Sequence, residues 1–446
     1  MVDSLNFVTI GELIKQKREE KGLSLSEVSR ITGISKGVIS KIESGETKRP
    51  ELRTLKPMAD VLNIPYEQII ELYIEVEHRF GILHEFLMEV AEISKPDLME
   101  KVSIKFLENA KKDSVELLED LFEIAGTFEK EDIRLTLYGI VIKYARSHGE
   151  SRYIAKGLYQ KYLIEREDLK HLEDSFKIGE EALHYVDFLS PEEKITLYYR
   201  MSLHAHNIRK YKKCVDLGEK GHAEDRTINE LGERVALAIL NSNSRMGKYS
   251  ELDKLLEKYV ALGYSLIIEK IKYFRAIILS KTGHRDEAIP LLRACVEEAS
   301  KEDRLHRIND LVEVLLEIDD VNSLKSIFEQ EKQNTLVQVY TPYKYLELGK
   351  YFKNKGTFLI KGGLFTEGME AYIQGMDFYS NINDLSGIME CSEKIYSYHC
   401  EHGKELELGL LKKMKKVYSI VNNGDERGGK NEKTFNFIDD CFTGVM

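Results

Sequence analysis

Apolar residues recur at helical spacing within the first 65 residues, and short polar breaks divide them into segments. The spacing predicts a helix over residues 10–21, which Gly22 ends. Ser24 is suited to cap a second helix, over residues 25–31, because Glu27 three positions later completes a capping box. We therefore expect two short helices joined by a tight polar turn.

A third helix follows after a turn that contains Gly33. Ser35 is a good N-cap for it, and the helix is expected to run to Glu43, where Gly45 closes it. Two short helices joined by such a turn form a helix-turn-helix unit, which places the start of its second helix in the major groove of DNA. The side chains expected to form its core are Val28, Ile31, Ile34, Val38, Ile39 and Ile42. Helices over residues 51–62 and from Tyr66 onward complete a five-helix domain.

A helical apolar period then continues almost to residue 420, so we looked for a repeat. Second helices of successive pairs are predicted to begin at Tyr211, Tyr249, Arg285, Val321 and Phe365, which are 38, 36, 36 and 44 residues apart. A single helix pair cannot bury both of its apolar faces, so neighbouring pairs stack. The fold class expected is all-α, with an N-terminal five-helix domain and an α-solenoid. The boundaries expected are 1–65 for the DNA-binding domain, 66–80 for a linker helix, 81–421 for the repeats and 422–446 for a tail.

Charge supports this division. The chain carries a net charge of −11, but residues 1–65 hold 11 basic and 9 acidic residues, a balance of +2, which leaves −13 for the remainder. The first domain can therefore approach phosphates while the large acidic part is repelled. A balance of +2 is weak evidence alone, so a DNA-binding function must depend on the motif.

Other classes of protein are disfavoured by what the sequence does not contain. The sequence contains no run of about 18 apolar residues, which a membrane span would need, and its N-terminus does not resemble a signal peptide. We therefore expect a cytoplasmic protein. The five cysteines show no metal-binding spacing and are expected to be free thiols. His204 and His206 lie on different helix faces. We find no phosphate-binding loop or nucleophile elbow, and we expect no metal, no cofactor and no enzymatic activity.

The first domain resembles the XRE/Cro/C1-type helix-turn-helix family. The matching residues are Gly11, Arg18, Gly22, Leu23, Ser24, Gly33, Ile34, Ser35, Ile39, Ser40, Ile42, Glu43, Gly45, Pro50 and Leu62. The resemblance implies that the helix after Ser35 reads double-stranded operator DNA. The positions it implies for the groove are Ser35, Lys36, Gly37, Ser40 and Lys41, and those for the phosphate backbone are Ser24, Lys48 and Arg49. Leu25 stands where many members carry Gln, and Gly37 offers no side chain, so we expect specificity to depend more on dimer spacing or DNA shape.

The repeats resemble tetratricopeptide repeats, in which the first helix of each pair lines a concave face that accepts an extended peptide. The lining positions that the resemblance implies are Tyr199, Asn207, Asn241, Arg245, Tyr273, Lys281 and Asn309. An asparagine can hold both the N–H and the C=O of a peptide backbone, and Arg or Lys can pair with a carboxylate. Asn241 and Arg245, spaced i and i+4 on one face, are the favoured pair.

The order of the two domains resembles the RRNPP family of quorum-sensing regulators. That resemblance implies a homodimer whose repeats bind a short signalling peptide, which modulates binding of the operator. Two alternatives stay open. The repeats could bind a protein partner instead, or the chain could be a response-regulator phosphatase, although the segment 85–126 lacks the glutamine that such relatives use. The tail could be disordered, or it could dock on the last repeat or in the groove.

Overall fold

The computed structural model describes residues 9–422, apart from 76, 78, 94, 110–111, 169–170, 302 and 332–341. Within these ranges every regular element is a helix and none is a strand, which confirms the all-α prediction. The chain divides into two compact units, Met1–Ile208 and Arg209–Met446. The predictions for the tail concern residues outside the described part. None of the described helices has the length and apolar character to cross a membrane.

The first unit contains twelve α-helices among its described residues. They are α1 (Ile10–Glu20), α2 (Leu25–Thr32), α3 (Lys36–Glu43), α4 (Leu52–Leu62), α5 (Tyr66–Ile74), α6 (Phe80–Ile93), α7 (Pro96–Leu107), α8 (Ser114–Thr127), α9 (Glu131–His148), α10 (Ser151–Glu165), α11 (Leu172–His184) and α12 (Pro191–Asn207). Helix α5 packs on α1 and α4 and buries Ile69, Ile70 and Tyr73, so it completes the predicted five-helix domain. The boundary at residue 65 and the linker helix 66–80 stay predictions.

Local chemistry fixes the ends of the first helices as the sequence predicted. The Ser24 side chain accepts the N–H of Glu27 at 3.3 Å, and the Glu27 carboxylate accepts the Ser24 N–H at 2.8 Å. Gly33 ends α2 with a φ of 74°, a left-handed conformation that favours glycine. Two predictions for the core are wrong, because Ile31 and Val38 are 55% and 42% exposed.

The second unit contains eleven helices among its described residues. They are α13 (Tyr211–Glu224), α14 (Glu230–Arg245), α15 (Tyr249–Ala261), α16 (Ser265–Lys281), α17 (Arg285–Glu297), α18 (Arg304–Glu317), α19 (Val321–Gln330), α20 (Pro342–Lys361), α21 (Phe365–Ser380), α22 (Leu385–Glu401) and α23 (Leu408–Asn422). The predicted starts of the five second helices are therefore confirmed. In each case the residue two positions before the start of the helix has a positive φ. These residues are Arg209, Gly247, Gly283, Asp319 and Gly363.

Helix pairs stack within this second unit. Helix α14 packs on α13, α15 and α16, and α18 packs on α17, α19 and α20. The pairs share an apolar core in which Leu292, Val312 and Leu315 are at most 1% exposed. Each pair thus covers an apolar face of the next, which is how an α-solenoid buries its core.

Candidate functional site

The third helix of the N-terminal domain presents one polar face to solvent. Its N-cap residue Ser35 accepts the backbone N–H of Val38 at 3.4 Å. Ile39 and Ile42 are at most 1% exposed and fix the helix to the domain. The positions predicted to face DNA, which are Lys36, Gly37, Ser40 and Lys41, are all exposed. The helix therefore has the buried anchor and the open polar surface that insertion into a major groove requires.

Cationic side chains surround this face. Four of them, Lys36, Lys41, Lys48 and Arg49, are exposed to solvent. Their charges are therefore available to phosphates or to guanine acceptor atoms. Ser24 differs from them, because its hydroxyl already donates to the Glu27 carboxylate at 2.7 Å. Its contact with the DNA backbone stays a prediction.

A bidentate ion pair between Arg18 and Glu43 positions α3, a role that was not predicted for either residue. The Arg18 Nε and Nη2 atoms donate to the two Glu43 carboxylate oxygens at 2.7 and 2.8 Å. Arg18 Nη1 also donates to the carbonyl of Leu23 at 2.9 Å. The Arg18 and Glu43 side chains are only 13% and 6% exposed, and hydrogen bonding to Glu43 raises the pKa of Arg18. The pair therefore ties α1, the turn before α2 and the end of α3 together. Both residues belong to the family motif, which was the signal available in the sequence.

Gly11 allows α1 to approach the end of α3. A Cβ atom at this position would lie 2.2 Å from the carbonyl oxygen of Ile42, and backbone cannot move away as easily as a side chain. Gly37 is the opposite case, because a Cβ atom there would meet nothing within 4 Å. The first glycine is required by packing, whereas the second leaves space on the exposed face.

The predicted peptide-lining residues of the first unit lie on α12. Asn207 is exposed at the end of that helix, while Tyr199 is 1% exposed. The resemblance to tetratricopeptide repeats implied that both line an accessible face, and for Tyr199 the structure shows a packed interior position instead. Residues of large volume with helical spacing are more often core than ligand contacts, which explains the difference.

The predicted lining residues of the second unit lie on three successive first helices. Asn241 is half-buried and Arg245 is exposed on α14. On α16, the Tyr273 hydroxyl donates to Asp310 at 2.9 Å and is 2.7 Å from His306 Nε2. Lys281, also on α16, pairs with Glu313 of α18 at 3.0 Å. The polar positions are therefore brought together between neighbouring helices.

Asn309 differs from its prediction. It is 1% exposed, and its amide nitrogen donates to the Glu347 carboxylate at 2.8 Å and to the Glu347 carbonyl at 2.9 Å. The resemblance to tetratricopeptide repeats implied a position on an accessible wall, but Glu347 of α20 takes the amide nitrogen, which leaves Oδ1 without a partner among the described residues. The two residues are 38 positions apart, so local spacing could not predict this contact.

The Glu347 carboxylate is the centre of a buried polar cluster. Lys350 lies 2.7 Å from it and His306 Nδ1 lies 3.5 Å from it. Burial alone would raise the pKa of Glu347, but Lys350, His306 and Arg245 hold that pKa well below its usual range. Arg245 lies on α14, His306 on α18 and Lys350 on α20, so three first helices direct charge toward one place.

Metal chemistry has no support in the part of the chain that the structure describes. No group of three or more His, Cys, Asp or Glu side chains there could hold a metal ion. His204 is 4% exposed, and its ring nitrogens lie 2.9 Å from the Leu172 carbonyl and 3.3 Å from the Tyr162 hydroxyl. Among the described cysteines, Cys214, Cys295, Cys391 and Cys400 are free thiols.

An anchored helix with an open cationic face defines the first domain as a DNA-binding helix-turn-helix module. In agreement, a family model described as Helix-turn-helix matches residues 14–69. The chain is similar to the HTH-type transcriptional repressor RghR of Bacillus subtilis (strain 168), with 31% identity over 105 residues, 23% of this chain and 76% of RghR. It is also similar to the HTH-type transcriptional regulator SinR of the same strain, with 35% identity over 69 residues, 16% of this chain and 62% of SinR. The chain belongs to the family of HTH-type transcriptional regulators, which is not a family of enzymes.

Two solved structures align with most of the chain at low similarity. The structure of phAimR has 13% identity and a TM-score of 0.36, and the alignment covers 93% of this chain and 100% of phAimR. The structure of Bacillus thuringiensis PlcR in complex with the peptide PapR7 and DNA has 15% identity and a TM-score of 0.20, with 87% and 98% covered. Scores this low carry no argument about ligands, so the function of the repeats must be argued from their own residues.

Proposed function

We propose that this DNA-binding regulator acts as a homodimer of the RRNPP type, and that its second unit binds a short signalling peptide that modulates operator binding. A dimer supplies two recognition helices, which suit a palindromic operator. A peptide changes operator binding only if it binds one arrangement of the dimer better than another.

The observation that carries the peptide part is a set of buried amide atoms without partners on the first helices. Asn309 Oδ1 on α18 and Asn354 Nδ2 on α20 have no hydrogen-bond partner among the described residues. The two residues are 1% and 6% exposed. A buried polar group without a partner costs about 1–3 kcal/mol, so a ligand that supplies a partner to both atoms would recover that cost.

A peptide backbone supplies the missing partners. Asn309 Oδ1 is an acceptor and Asn354 Nδ2 is a donor, and each residue of an extended peptide offers one N–H and one C=O. Asn354 lies seven positions after Glu347, on the same face of α20, so it shares a side of the helix with the Glu347 cluster. Asn241 and Arg245 on α14 extend the polar surface in the second unit.

The test is calorimetric titration of the full chain with synthetic peptides taken from the C-terminal ends of small open reading frames beside its gene. We expect micromolar or tighter binding by one of them. Asn354→Leu should weaken that binding by about tenfold or more, without lowering the stability of the protein, because no internal hydrogen bond to Nδ2 is lost.

The matched control is Asn243→Leu. Asn243 is also buried, but its Nδ2 already donates to the Ile239 carbonyl at 3.0 Å. This substitution should lower stability and leave peptide affinity unchanged. If no candidate peptide binds while operator binding is intact, the proposal is wrong, and the alternative in which the repeats bind a protein partner takes its place. Equal peptide binding by Asn354→Leu would remove the assigned role of the amide.

A further inference from the structure

Two cationic residues in the second unit are largely buried and have no counter-ion among the residues that the structure describes. Arg307 on α18 is 7% exposed and Lys270 on α16 is 9% exposed. Neither forms an ion pair or a hydrogen bond with any residue in the described part of the chain, and Arg307 Nη1 is fully enclosed without a partner. A guanidinium nitrogen that loses water without gaining a partner is unfavourable, so such groups are usually paired.

The two cations lie near each other. Lys270 is one turn before Tyr273 on α16, and the Arg307 guanidinium carbon lies 3.2 Å from the centre of the Tyr273 ring. Burial lowers the pKa of Lys270; Glu269 and Asp303 raise it, and Arg307 lowers it further. Glu269 and Asp303 therefore lie close enough to affect the pKa of Lys270, but neither forms an ion pair with it. Two like charges in one enclosed place repel, which adds to the cost of burial.

The Arg307 guanidinium lies over the Tyr273 ring, and it forms no hydrogen bond with a residue that the structure describes. A guanidinium carries its N–H donors in one plane. The Tyr273 hydroxyl is held in turn by Asp310 and His306, so the ring is a fixed platform. A planar carboxylate matches the in-plane donors with two parallel hydrogen bonds, and a nearby ammonium adds a second positive charge.

We propose that Arg307 and Lys270 form a subsite for a carboxylate group of the bound peptide, an inference that rests on the proposed peptide-binding function. The carboxylate comes from the C-terminus of the peptide or from an Asp or Glu side chain, and the chemistry is the same.

The experiment uses the full chain and four libraries of random hexapeptides. Two libraries have a free C-terminal carboxylate and two have a C-terminal amide; within each pair, one library contains Asp and Glu and the other omits them. Bound peptides are identified by mass spectrometry after affinity selection, resynthesised, and titrated by calorimetry in both C-terminal forms. We expect no binders in the amidated library without Asp and Glu. Binders only in the two libraries with a free C-terminus identify the C-terminal carboxylate, and binders only in the two libraries with Asp and Glu identify a side chain.

Two variants complete the test. Arg307→Met should lower the affinity of a selected peptide tenfold or more, and should abolish the difference between its carboxylate and neutral forms. Arg304→Met is the control, because Arg304 on the same helix is already paired with Glu331 at 2.9 Å and should leave that difference unchanged. If Arg307→Met fails to fold, the comparison of peptide forms on the unmodified chain decides by itself.

The outcomes separate the two proposals. Peptides that bind equally well with no carboxylate at all would overturn the subsite and leave the peptide-binding function in place. Equal loss of affinity in Arg304→Met and Arg307→Met would also overturn the subsite, because a paired arginine would then matter as much as an unpaired one. Failure of all four libraries to yield a binder would overturn both.

Discussion

The ion pair between Arg18 and Glu43 should determine how firmly the recognition helix is held. Glu43→Gln keeps the size of the side chain but removes its charge and one of two acceptors for Arg18. An exposed ion pair contributes about 0–1 kcal/mol, and breaking a fully buried one costs about 3–5 kcal/mol. With side chains 13% and 6% exposed, this pair lies between these limits. We expect a loss of about 2 kcal/mol, in line with one charge-assisted hydrogen bond.

The assay is amide hydrogen exchange of the full chain, followed in peptides that cover residues 36–43. Since about 1.4 kcal/mol corresponds to a factor of ten, protection of α3 should fall about 30-fold in Glu43→Gln. The matched control is Glu19→Gln, because Glu19 is 57% exposed and lies 3.5 Å from the same arginine. Its effect should stay within about twofold. Equal protection of α3 in the two variants would refute the conclusion that this pair positions the recognition helix.

Three further predictions concern two helix glycines, one turn glycine and two lysines. Gly11→Ala should destabilise the N-terminal domain by about 1–3 kcal/mol, because the new Cβ atom would clash with the backbone of α3, whereas Gly37→Ala should stabilise the domain by up to about 1 kcal/mol. Urea unfolding measures both changes, and equal effects would contradict the close contact assigned to Gly11. Gly247→Ala should cost about 1 kcal/mol through its φ of 70° alone, since nothing lies within 4 Å of the new atom, and an unchanged urea midpoint would count against this. Replacing Lys36 and Lys41 by Ala should cost about 1–3 kcal/mol of operator binding for each base contact, whereas a phosphate contact would show as a uniform loss with a shallower salt dependence; unchanged binding would place the recognition helix elsewhere.

The sequence predicted the helices better than the faces that they bury. The starts of the repeat helices at Tyr211 and Phe365 were correct because the turn before each one interrupts the apolar period. Val38 was assigned to the core because it stands beside Ile39, but neighbours on a helix differ by about 100° in direction. Ile31 has the right spacing from Val28, yet it is 55% exposed. An apolar period identifies a face of a helix, but it does not show where the neighbouring helix ends.

Contacts between distant positions could not be predicted from one sequence. Asn309 was expected to face a ligand, and the charge that covers it comes from Glu347 on another helix pair. Arg307 received no role, because an arginine on a helix is usually solvated. Only the packing of α16 against α18 shows that Arg307 is buried on an aromatic ring. Local spacing predicts where helices form, whereas tertiary packing determines which polar side chains are removed from solvent.

The proposed regulator couples peptide binding to operator binding, and this coupling is tested most directly by measuring the effect of each ligand on the affinity for the other. The dissociation constant for operator DNA is measured with and without saturating peptide, and that for the peptide with and without operator. If the two sites are coupled, both constants must change by the same factor, typically between 5- and 150-fold. An operator affinity that stays the same at saturating peptide would contradict the claim, and would leave a DNA-binding protein with a separate peptide site.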